Sequence, residues 1–154
     1  MRILVQRVSR ARVRVHDETV GEIGRGFLLF VGVTHDDTTE DAVFLAGKVA
    51  NLRVFDDEAG NLNRSALDLA AAAEVGVLVV SQFTLYANAR KGRRPSFVRA
   101  APPPIAAPLV VQVADELRRL GLPVAQGRFG AEMAVELIND GPVTIWLDTA
   151  DLKG

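Results

Sequence analysis

Two polar clusters interrupt apolar strand patterns, and any chemistry would sit there. Ser81-Gln82-Phe83-Thr84 follows directly on the apolar run Val75 to Val80. Three hydrogen-bonding side chains at the carboxyl end of a buried strand suit a site where freed backbone N–H groups meet a ligand. The same residues also fit a plain strand end whose side chains satisfy neighbouring backbone. The second cluster is Asn139-Asp140-Gly141-Pro142, which taken alone reads as a hairpin turn. A third concentration is ionic. Arg90, Lys91, Arg93, Arg94 and Arg99 fall within ten residues that contain no acid and are broken by Gly92 and Pro95. A loop of that kind offers contacts to phosphates, or is a solvated charge run with no specific partner.

The usual catalytic equipment is missing. The 154 residues include no cysteine and two histidines, His16 and His35. That removes thiol nucleophiles, disulfides and thiolate metal sites, and leaves little for a zinc centre or a Ser-His-Asp relay. No nucleophile elbow, P-loop, HExxH or Rossmann fingerprint is present. Gly21-Glu22-Ile23-Gly24-Arg25-Gly26 has the glycine spacing of a phosphate loop but no helix after it, and reads as a hairpin turn. Both histidines read as surface residues, and no metal or cofactor is expected. Eighteen basic and 19 acidic residues leave a net charge of −1, which argues against a nucleic-acid coat or a disordered polyelectrolyte. The 49% hydrophobic and 24% charged composition is that of a folded globular protein. No apolar run reaches the roughly 20 residues that span a bilayer. The start, Met1 to Arg7, is charged too soon after a short apolar stretch for a secretory signal, so a cytoplasmic protein without membrane contact is expected.

The elements that must position these clusters are legible from periodicity. Ile3, Val5, Val13 and Val15, interleaved with Arg10, Arg12 and Arg14, follow a strand period of two. Gly26 to Val33 reads as a strand buried on both faces. Thr38 and Asp41 form a capping pair before a helix with the stripe Val43, Ala46, Val49 and Ala50. A short strand over Leu52 to Phe55 is closed by the turn-rich Asp56 to Asn61. A second helix starts near Pro104, carries Leu109, Val113, Leu117 and Leu120 on one side, and stops at Gly121. Strands follow around Met133 to Leu137 and over Val143 to Leu147. Strands joined mostly by turns predict an α+β fold over residues 1–154. It is a single domain with a largely antiparallel β-sheet curled toward a barrel and two main helices.

Five stretches, in order along essentially the whole chain, together resemble the D-aminoacyl-tRNA deacylase (D-tyrosyl-tRNA deacylase) family. They are Gln6-Arg7-Val8, Ser81-Gln82-Phe83-Thr84-Leu85, Gly92 to Phe97, Gly127 to Met133, and Asn139 to Thr144. Asn88 departs from the pattern, since many members carry an acid after the alanine that is Ala87 here. The resemblance implies a cofactor-free homodimer, with active sites at the subunit interface. Such an enzyme cleaves the ester between a D-amino acid and the terminal adenosine of tRNA. Ser81, Gln82, Phe83 and Thr84 would line the catalytic pocket. Gly141 and Pro142, joined by a cis bond in the family, would reach into the other subunit's pocket as a chirality gate. Such a gate admits glycine, so glycine mischarged on alanine tRNA is an expected second substrate. Arg7 either braces the dipeptide's carbonyls through its guanidinium fork or faces solvent as an ordinary strand arginine. Arg90, Lys91, Arg93 and Arg94 would bind tRNA. Thr84 is either a nucleophile, though no base neighbours it in the sequence, or only part of the pocket. In the second case backbone N–H groups around Phe83 and Thr84 polarise the ester and the ribose 2′-hydroxyl handles the proton. The competing function is a non-catalytic domain that holds aminoacyl-tRNA.

Overall fold

The period-two pattern at the start of the chain becomes one long strand, β1 (Arg2–Val15), with Ile3, Val5, Val13 and Val15 buried. The computed structural model describes residues 1–72 and 75–154. After β1 the chain reverses at His16-Asp17 into β2 (Glu18–Ile23), His16 taking a left-handed φ of 54°. β3 (Gly26–Gly32) continues in the same direction along the same edge of β1. Val15 pairs with Glu18 and Ala11 with Ile23, then Val8 with Gly26 and Arg2 with Gly32. The glycines from Gly21 to Gly26 therefore do not make the expected hairpin turn, because Gly24 and Arg25 lie at a kink between collinear strands. Gly26 is needed for a different reason: a Cβ there would fall on the backbone of Gly76.

A small pair, β4 (Phe55–Asp56) and β5 (Leu62–Arg64), is the remnant of the strand expected over Leu52 to Phe55. β6 (Gly76–Ser81) runs parallel to β3, and β7 (Val124–Gln126) runs parallel to β6. β8 (Ala134–Asp148) lies antiparallel along the other edge of β1. The path β2-β1-β3-β6-β7 nearly closes on itself, since a Cβ on Gly21 of β2 would strike the carbonyl of Gln126 in β7.

The helices are α1 (Thr39–Asn51), α2 (Ala66–Ala70), α3 (Pro103–Leu120) and α4 (Thr149–Leu152). The α+β class holds, with α1 and α3 as the main helices and a mixed sheet. The parallel pairs exist because α1 and α3 serve as crossovers, which turn signals do not reveal. Thr38 N–H donates to the Asp41 carboxylate at 2.9 Å as the capping pair requires. Ala42 and Leu45 join Ala46, Val49 and Ala50 in the core, while Val43 points out. α3 ends at Gly121, whose φ of 109° suits glycine. One apolar cluster packs α1 and α3 on Phe27, Leu29 and Val79, and Leu28, Leu78 and Val80 turn to a second cluster on the opposite face. Among the described residues no helix is long and apolar enough to cross a membrane.

Candidate active site

β6 stops at Ser81 because Gln82, with φ −146° and ψ 82°, leaves the strand path. The Gln82 N–H makes a last bond to the Val31 carbonyl at 2.8 Å. The chain then tightens into a 3₁₀ turn over Phe83–Tyr86. As the first residues of that turn, Phe83 and Thr84 present N–H groups with no acceptor inside it. Arg2 fastens the far end. Its Nη1 donates to the Leu85 carbonyl at 2.8 Å and its Nε to Asp148 at 2.9 Å, and its guanidinium lies 4.3 Å from the centre of the Tyr86 ring. Burial, reinforced by Asp37 and Asp148, pushes the Tyr86 phenol far up, so it stays neutral.

A cavity of about 420 Å³ opens beside this turn, lined by Ser81, Gln82 and Phe83 on one side and by Phe97, Ala106 and Phe129 on the other. Phe83 and Phe97 meet edge to face, with centroids 5.2 Å apart at 71°. The segment carrying Phe97 is tied down by the His35 ring, which bonds the Val98 carbonyl at 2.7 Å, and by Ala101 N–H on the Val33 carbonyl at 2.9 Å. His35 is thus exposed, as expected, yet holds one wall of the cleft. A smaller recess of about 230 Å³ flanks the other side of Ser81–Phe83 against Met133 and Val135. Thr84 Oγ1 accepts a hydrogen bond from Gln82 Nε2. Among the described residues no histidine, carboxylate or amine bonds that hydroxyl.

Asn139-Asp140-Gly141-Pro142 is not a hairpin turn. β8 passes through it without reversing: Asn139 pairs with Val8 of β1, and Thr144 pairs with Gln6. Residues 140–143 therefore stand opposite Arg7 alone and bulge out of the strand. A locally turn-like tetrapeptide is overruled by the ladder that continues on both sides of it. The Gly141-Pro142 bond is cis, Gly141 has a φ of 113°, and both residues are exposed.

Arg7 does not face solvent. It is 6% exposed and donates from Nη1 to the Val54 carbonyl at 2.7 Å and from Nε to the Asp140 carbonyl at 3.2 Å. The Asp140 and Asp56 carboxylates lie 3.3 and 3.8 Å from it. A Cβ on Gly141 would collide with this guanidinium. The contact is to the carbonyl preceding the dipeptide, and the side chain packs against Gly141 itself.

Ser81, Gln82 and Phe83 thus share one cleft, with Thr84 bonded to Gln82, while Arg7, Gly141 and Pro142 form a separate group that does not line the cleft of the same chain. Arg90, Lys91 and Arg94 border an open recess with Asn88 and Ser96, and Arg93 is exposed on the same loop. Two bonds of 2.8 Å between Asn88 and Ser96 close the loop's base. None of these four cations has an ion pair among the described residues. Phe97 and Phe129 line the cleft beside Ser81, and no local pattern singled either of them out. Their one signal is that they lie inside the stretches resembling the family.

A family profile described as D-Tyr-tRNA(Tyr) deacylase matches residues 4–148. A protein of Thermomicrobium roseum named D-aminoacyl-tRNA deacylase is 60% identical over all of this chain and 97% of its own length. One from Geobacillus with the same name is 51% identical over 100% of this chain and 99% of its own. Among solved structures, the c-Myc DNA Unwinding Element Binding Protein superposes with a TM-score of 0.88 at 39% identity, covering 96% of this chain and 98% of that one. A nearly closed mixed barrel with a polar turn at the mouth of an aromatic cleft defines the class, and the sequence matches narrow it to a hydrolase. The chain belongs to the D-Tyr-tRNA(Tyr) deacylase family.

Proposed function

We propose that this deacylase hydrolyses the ester of D-aminoacyl-tRNA as one half of a homodimer, each chain lending Gly141-Pro142 to the cleft of the other. The observation that carries this reading is the extrusion itself. Residues 140–143 project from a strand against one buried arginine, and Gly141 and Pro142 at their tip are exposed and away from the cleft of their own chain. Among the described residues β8 is bonded only to β1, which leaves unpaired an edge running from Ala134 to Asp148, a surface that monomeric proteins seldom leave open. A second copy on that edge would cover it and bring the extrusion to a cleft.

The chemistry of the dipeptide supports a steric selector. Glycine brings no Cβ and proline no N–H, so the tip offers carbonyl oxygens and a rigid outline. Those oxygens suit a substrate ammonium. With ammonium and ester both held, a D-residue turns its side chain to open space, and an L-residue drives its Cβ into the tip. Selection by collision ignores side-chain identity and admits glycine, which makes glycyl esters on alanine tRNA a second substrate.

The terminal adenosine suits the aromatic cleft between Phe83, Phe97 and Phe129, with Ser81 and Gln82 ordering its mouth. Phe83 and Thr84 N–H groups then meet the ester carbonyl oxygen as negative charge builds on it. The Thr84 hydroxyl is already an acceptor for Gln82 and has no base beside it among the described residues, which favours water as the attacking group, with the adjacent ribose 2′-hydroxyl taking up the proton work. Arg90, Lys91, Arg93 and Arg94 contact tRNA phosphates. The test is release of tyrosine from D- and L-tyrosyl-tRNA by the purified protein. Loss of the D ester alone is expected. Equal rates on both enantiomers would refute the selector, and tRNA binding without release would leave a non-catalytic binding domain.

A further inference from the structure

Asn139 closes the neck of the extrusion. It is the last residue of β8 paired with β1 before the bulge, and its side chain spans the gap the bulge opens. Nδ2 donates to the Arg7 carbonyl at 3.0 Å and to the Val143 carbonyl at 3.0 Å. Oδ1 accepts from the Thr144 hydroxyl at 3.4 Å, and that hydroxyl accepts in turn from Gln6 Nε2 at 3.3 Å. A primary amide has two N–H donors and one carbonyl, and here all are engaged. The two carbonyls it serves belong to the mismatch itself, Arg7 being the one residue of β1 that faces four of β8 and Val143 the last of those four, so an ordinary ladder cannot satisfy them. Arg7 grips the projecting part, at Asp140 and Gly141. Asn139 draws together the strand on either side of it and bonds both to β1.

We propose that Asn139 is a positioning residue for stereochemical selection: by fixing the width of the neck it sets how far Gly141-Pro142 projects into the partner's cleft. The inference rests on the selector reading above. It assigns Asn139 no contact with substrate. Loosening the neck lets the tip retreat, so an L-residue is no longer struck, while the N–H groups at Phe83 and Thr84 are untouched.

The experiment compares kcat/KM on D- and L-tyrosyl-tRNA for wild type, Asn139→Asp, Asn139→Ala and Gly141→Ala. Asn139→Asp keeps the shape but turns oxygen toward both carbonyls, and Asn139→Ala removes the bridge. For both, the D-to-L ratio should fall by about tenfold or more, the size of effect expected from losing two hydrogen bonds. On the D ester KM should rise more than kcat falls. The ratio is independent of the fraction of folded enzyme, so partial unfolding of a variant cannot mimic or hide the result. A purely structural role lowers both rates together and leaves the ratio alone. If Gly141→Ala loses selectivity while both Asn139 variants keep it, the inference is overturned and the selector stands. If Gly141→Ala also keeps it, the selector itself has failed.

Discussion

Replacing Gly141 with alanine tests the coupling between backbone, Arg7 and selectivity in one step. A φ of 113° lies where side-chain-bearing L-residues rarely go, and holding alanine there costs about 1–3 kcal/mol. The added methyl also lands on the Arg7 guanidinium, only 8% of whose side chain is exposed, so the arginine must move. Moving it forfeits at least the bond to the Asp140 carbonyl at 3.2 Å, and a hydrogen bond from a charged group is worth about 1.5–3 kcal/mol. Together the loss is about 2.5–6 kcal/mol. In a chain of this length that lowers the thermal midpoint by roughly 10 °C. Circular dichroism melting gives the midpoint, and parallel deacylation of D- and L-tyrosyl-tRNA gives the selectivity. A variant that melts within about 2 °C of wild type and still spares the L ester would refute both the packing and the selector, since an effect of that size is no more than about 1 kcal/mol.

Three further outcomes are expected. Thr84→Ala should retain single-turnover hydrolysis within about tenfold of wild type, because no base among the described residues activates the hydroxyl; complete loss with an intact fold would make Thr84 the nucleophile. Changing Arg90, Lys91, Arg93 and Arg94 to glutamine should weaken tRNA binding and flatten the slope of log affinity against log salt by about 3, as for four phosphate contacts; an unchanged slope would remove the loop from the interface. The Asp68 carboxylate is held below its ordinary value of 3.8, chiefly by the Ser65 N–H at 2.9 Å and also by the Ser65 hydroxyl. A carboxyl depressed in the folded state stabilises the protein above its unfolded value and loses that contribution as pH falls through its folded one. Urea unfolding should therefore show Asp68→Asn losing less stability than wild type on going from about pH 5 to about pH 2, and identical losses would contradict a role for that hydrogen bond.

Much of the frame was legible because it rests on local periodicity. The alternation through β1, the capping pair at Thr38 and Asp41, and Leu109, Val113 and Leu117 before Gly121 each contain their structural answer within a few residues. Where the outcome depends on distant chain, the pattern was silent or misleading. β7 is three half-buried residues with no period of their own, placed only because β6 offers an edge. The 3₁₀ turn at Phe83 follows an apolar strand and carries no helical signal. Asn139-Asp140-Gly141-Pro142 has good turn chemistry, yet its neighbours on both sides are claimed by β1, which a local reading cannot weigh. The aromatic wall has the same character: Phe83, Phe97 and Phe129 come from three separate segments and meet only through the tertiary fold.

The first strand also works as a ruler. Its bonds to β3 on one edge and β8 on the other leave it no freedom to slide, and Arg7 takes its place opposite the bulge by its count along that strand. Inserting or deleting one residue between Arg2 and Arg7 would shift the guanidinium by about 3.3 Å and turn it to the opposite face of the sheet. On the selector reading proposed above, stereochemical preference is tied to the number of residues between Arg2 and Arg7. The number of residues in that segment therefore matters alongside the identities of Arg2, Gln6 and Arg7.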